Sequence, residues 1–91
     1  MADLKIVVEK PTSGRLESLG VNSWSIWTKE PSIFDWHYDE KETCYLLEGE
    51  VTVKTPDASV HFGKGDLVTF PKGLSCTWNV KKAVRKHYRF G

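Results

Sequence analysis

The chain has 91 residues, 40% hydrophobic and 27% charged, an ordinary globular composition with room for one domain spanning 1–91. A net charge of +1 supplies no field that would draw in nucleic acid or a membrane surface. Two cysteines, Cys44 and Cys76, build no disulfide framework, and no apolar run approaches the ~20 residues of a membrane span, so a reduced, cytoplasmic protein is expected.

At the amino terminus, charges arrive too early for a secretory signal. Residues 4–8 form a short β-branched run that predicts a strand. Residues 11–19 predict the only helix: Pro11 suits a first turn, Leu16 and Leu19 share a face, and Gly20 can end it. From Val21 onward the pattern is β throughout. Strands are predicted over 24–28, 33–38, 43–47, 51–55, 59–62, 67–70, 75–80 and 84–90, all rich in Val, Ile, Thr and aromatic residues. Gly49 lies between two of these runs, where a hairpin turn would need it. Pro56-Asp57 heads a second turn, and Gly63 and Gly65 give permissive backbone before the next strand. Phe70-Pro71-Lys72-Gly73 fits a type I turn with Pro second and Gly fourth. Many short strands with turns about every ten residues predict an all-β sandwich or barrel.

Two motifs sharpen this. Glu42 is followed after six residues by Gly49, and Gly65 after five residues by Pro71-Lys72-Gly73. This spacing resembles the cupin family, whose fold is a jelly-roll barrel (a double-stranded β-helix). Three phrases, over 42–49, 64–73 and 84–88, further resemble the small cupins related to ureidoglycine aminohydrolase. The resemblance implies a barrel pocket that commonly holds Mn, Fe or Zn on three imidazoles and one carboxylate. In this chain the matching positions carry His37, Glu42 and Cys76, with Asp35 at the remaining one, so the imidazole set is largely replaced. A thiolate suits zinc, yet the mixture is unusual. The other reading of His37 is a side chain at the barrel mouth that hydrogen-bonds locally.

Strand alternation says what else lines such a pocket. Cys44 shares the face of Glu42, and Cys76 that of Trp78. In the last strand, Lys86 falls with Val84, Tyr88 and Phe90, while Arg85, His87 and Arg89 face outward with His61. Lys86 is thus drawn inside, where it either pairs with Glu42 or snorkels to the rim. Trp36 and Trp78 are candidate pocket walls. The two thiols would be nucleophiles only with lowered pKa values, which His37 or Lys86 could provide. Lys81, Lys82, Arg85, Lys86 and Arg89 make the carboxy end basic, which predicts a solvated edge rather than a nucleic-acid footprint.

The expectation is a small cytoplasmic cupin, monomeric or homodimeric. Its pocket of Trp36, His37, Glu42, Cys44, Cys76, Trp78 and Lys86 takes a small polar metabolite, with no cofactor and no catalytic residue assigned. Two alternatives stand beside it. One is a metal-dependent C–N hydrolase resembling ureidoglycine aminohydrolase, with His37, Glu42 and Cys76 as ligands. The other is a non-catalytic dimeric scaffold.

Overall fold

A computed structural model describes residues 5–91. The short β1 (Val7–Glu9) leads to α1 (Ser13–Leu19). Residue 4, the expected start of the first strand, lies outside the described residues. The Thr12 hydroxyl caps α1 by accepting the Arg15 N–H at 3.2 Å. Gly20, at φ 69°, closes it in the left-handed region and donates back to the Glu17 carbonyl at 3.0 Å. A single 3-10 turn over Val21–Ser23 follows, where only β-structure was predicted.

The remaining strands are β2 (Ser25–Lys29), β3 (Ser32–His37), β4 (Glu42–Lys54), β5 (Ser59–Gly63), β6 (Leu67–Phe70) and β7 (Ser75–Phe90). All pairings are antiparallel, and β4 and β7 form the spine. The first part of β4 lies between β6 and the end of β7, with β1 beyond β6 and β2 beyond β7. The second part of β4 lies between β5 and the start of β7, with β3 on the far side. Two long strands thus serve both halves of the barrel. Among the described residues no helix is long and apolar enough to cross a membrane.

Gly49 corrects the hairpin expectation. No turn forms there: β4 continues through it, and its register against β7 shifts between Leu46 and Glu48, between Glu48 and Glu50, and between Glu50 and Val51. Such irregularities bend a strand without ending it. The two predicted runs 75–80 and 84–90 merge into β7 for the same reason. The second motif also closes one residue later than predicted. Leu74 N–H donates to Pro71 C=O, and Gly73 takes the third position at φ 89°, the positive value a type II turn requires there. At the Gly63–Asp66 turn the Asp66 carboxylate accepts from the Gly63 N–H and the Lys10 ammonium, each at 2.9 Å.

Alternation then builds the core. Cys44, Leu46, Val51 and Val53 point inward from β4, and Cys76, Trp78, Val80 and Val84 from β7. Trp78 is central, in contact with the rings of Trp27, Phe34, Phe62 and Phe70 at centroid distances of 5.5–6.1 Å.

Candidate functional site

Between β2, β3, β4 and the end of β7 the core leaves a cavity of about 230 Å³. Each wall follows from period two and strand register. β3 and the residue after it contribute Phe34, Trp36 and Tyr38 from one face, and β7 contributes Trp78, Lys86, Tyr88 and Phe90. β2 adds Trp27, which stands directly opposite Lys86. Phe34 stands opposite Trp78 and stacks on it at 6.0 Å and 16°. Trp36 and Phe90, 48% and 45% exposed, mark the opening.

At the base lies an ion pair. Lys86 Nζ donates to Glu42 Oε2 at 2.6 Å, with both side chains almost fully enclosed. Glu42 pairs with Phe90 along the ladder and Lys86 with Leu46, so the lysine stem reaches back past the Cys44–Tyr88 pair to meet the carboxylate. Of the two sequence readings for Lys86, the internal pair is the one formed. The ammonium also lies 4.8 Å from the ring centre of Trp27 and 4.7 Å from that of Trp78, within cation–π range of both. Beside it the Tyr38 hydroxyl accepts the Trp78 Nε1–H at 3.1 Å. Burial, and then the Glu42 charge, push the Tyr38 phenol far above its ordinary range, so it remains protonated.

The other expected pocket residues lie elsewhere. His37 is exposed; its Nδ1 is 2.7 Å from Ser75 Oγ, and its Nε2 is 3.8 Å from Asp39. It follows Trp36 directly in an extended strand, so the two must face opposite ways, and only Trp36 borders the cavity. Asp35, also exposed, accepts the Thr77 hydroxyl at 2.8 Å. Cys44 is wholly buried beneath the cavity rather than lining it. Cys76 meets an open surface groove beside His37 and Ser75. His87, expected to face solvent, is 8% exposed, because the segment before β2 covers it; its Nδ1 is 3.1 Å from the Trp24 carbonyl oxygen.

The residues at the metal positions do not fit an ion. Glu42 is held by the Lys86 ammonium, His37 faces away, and Asp35 is engaged outside. Among the described residues, no three His, Cys, Asp or Glu side chains gather as ligands. A thiolate nucleophile is also disfavoured. Burial pushes the Cys76 thiol up to about 11 and the Cys44 thiol up to about 12, against an ordinary 9.0. Burial outweighs the Lys86 charge, which does pull the Cys44 thiol down, and both thiols stay protonated at neutral pH.

This has a measurable consequence. Above pH 9.0 the unfolded Cys44 thiol ionises while the folded one does not, up to about 12. The folded state then holds the extra proton, so stability is complete below pH 9 and declines as pH rises. The contribution is about 1.4 kcal/mol per pH unit. Urea unfolding at pH 8 and pH 10 should show a shallower decline for Cys44→Ala than for the wild type. Equal declines would mean the thiol titrates alike in both states.

The sequence model of the EutQ-like cupin domain matches residues 16–88. The chain belongs to that family. It is similar to a DUF861-family protein of Thermotoga maritima, at 55% identity over 96% of this chain and 100% of that one, with a TM-score of 0.94. It shares its fold with a putative ethanolamine utilization protein Q of Salmonella typhimurium, at 22% identity over 93% of this chain and 68% of that one, TM-score 0.66. It likewise shares its fold with the EutQ protein of Clostridium difficile, at 22% identity over 93% of both chains, TM-score 0.63. No curated protein matches the sequence.

Five lining residues escaped the sequence reading: Trp27, Phe34, Tyr38, Tyr88 and Phe90. For four of them a signal was present. Phe34 and Tyr38 flank Trp36 at period two, and Tyr88 and Phe90 continue the face of Lys86. Trp27 had none, because only the pairing of β2 with β7 sets it opposite Lys86.

Proposed function

We propose that this cupin is a binding module whose barrel cavity captures a small polar metabolite in the cytoplasm, without a metal in its working site and without nucleic-acid or membrane partners. One observation carries the reading: a partly open, aromatic-walled cavity with a buried Glu42–Lys86 pair at its base. Apolar walls with a few convergent polar groups are the usual make-up of small-molecule sites. Trp36, Glu42, Trp78 and Lys86 serve as ligand contacts in this scheme. The resemblance to ureidoglycine aminohydrolase would instead make the protein a metal-dependent C–N hydrolase. His37 and Cys76 border the outer groove while Glu42 is tied to Lys86 inside, so the three form no common site and give that alternative no support. A full equivalent of transition metal in the purified protein, lost on Glu42→Ala, would restore it.

The test is a thermal-shift and tryptophan-fluorescence screen of small polar metabolites against the wild type and Trp36→Ala. Trp36 is half exposed and packs edge-on against Tyr38, so its removal should cost about 1–3 kcal/mol and leave the protein folded. A genuine ligand should raise the melting temperature, perturb indole emission and bind Trp36→Ala about tenfold more weakly, the loss of one good contact. Compounds that bind both proteins equally well would defeat the proposal.

A further inference from the structure

We propose that the cavity selects an uncharged ligand with an amide-type edge, a carbonyl beside an N–H, over a carboxylate or a cation of the same shape. This rests on the binding reading above and narrows it to a ligand class. The cavity's two ionised groups are joined at 2.6 Å, with side chains only 6% and 5% exposed, so the site's own charges cancel. A ligand with net charge would enter aromatic surroundings with no partner of its own, which is costly.

Each sign of charge meets a specific obstacle. A cation would be drawn to the faces of Trp27 and Trp78, but the Lys86 ammonium already lies over both, at 4.8 and 4.7 Å, and repels it. An anion could reach the remaining N–H groups of Lys86 only by coming alongside the Glu42 carboxylate, which repels it.

A neutral amide meets neither obstacle. The Tyr38 hydroxyl accepts from Trp78 Nε1, and no described residue accepts its own proton, so it can donate to a ligand carbonyl. The Glu42 carboxylate accepts one bond from Lys86 and has further lone pairs with which to accept a ligand N–H. The rest of the ligand would lie against Phe34, Trp36 and Tyr88. A volume of about 230 Å³ lies below the usual range for drug-sized ligands, which suits a single ring with one substituent.

Three isosteric probes isolate charge from shape: benzamide, benzoate and benzamidinium at pH 7. Each is titrated into the full chain while the indole N–H resonances of Trp27 and Trp78 are followed by NMR. Benzamide should shift both resonances and bind about tenfold or more tightly than either charged probe. If benzoate or benzamidinium shifts the same resonances with equal or greater affinity, the charge selection is wrong while the cavity remains a binding site. If no probe shifts them, both this inference and the binding reading fall.

Discussion

Lys86→Met should unfold at far lower denaturant than the wild type, with a loss of about 3–5 kcal/mol. The substitution keeps an apolar stem of similar length but removes the cation 2.6 Å from Glu42, stranding a carboxylate whose side chain is 5% exposed. Glu42→Gln should cost less, because the remaining ammonium still lies over Trp27 and Trp78, an attraction of about 2 kcal/mol when desolvated. The double variant should recover much of the loss, since neither strong charge is then left alone. Urea unfolding of the four proteins gives the coupling energy directly. If Lys86→Met loses under about 1 kcal/mol, or if the two losses simply add, the pair is not what neutralises Glu42.

Gly49→Ala should be the second costly change, at about 2–5 kcal/mol, by two additive causes. The backbone there has φ 113°, which costs an L-residue about 1–2 kcal/mol. A methyl group would also sit 2.8 Å from the Ala83 carbonyl oxygen and the Val84 Cα, both backbone atoms of β7 that cannot swing aside. Overpacking of this kind adds about 1–3 kcal/mol. Gly65→Ala separates the two causes, because its φ is 88° but its added methyl would meet nothing within 4 Å. Equal losses for the two variants would show that the close approach of β4 to β7 carries no weight.

The same glycine marks where local signals lose their power. A glycine between two strand-like runs is as suitable for a bulge as for a turn. What decides between them here is β7 lying alongside, which pairs with β4 on both sides of the bend. His37 illustrates a different error. Motif spacing placed it in the pocket, yet period two forbids it from sharing a face with Trp36, and alternation was the stronger constraint. Alternation points His87 outward from β7, but the Trp24 segment covers that outer face and buries it.

From the chain alone came the all-β character, the short helix ended by Gly20 (though not its Thr12 cap), the inward faces of the main strands and the isolation of Glu42 with Lys86 as its available counter-ion. These rest on local backbone preference and on strict alternation, both encoded residue by residue. Tertiary structure alone decided that β4 and β7 run unbroken through both halves of the barrel, that Trp27 meets Lys86, and that the thiols and His37 stand apart from the cavity. Those outcomes depend on register between strands distant in sequence, and register is fixed by the packing of whole faces against one another rather than by any short stretch of residues.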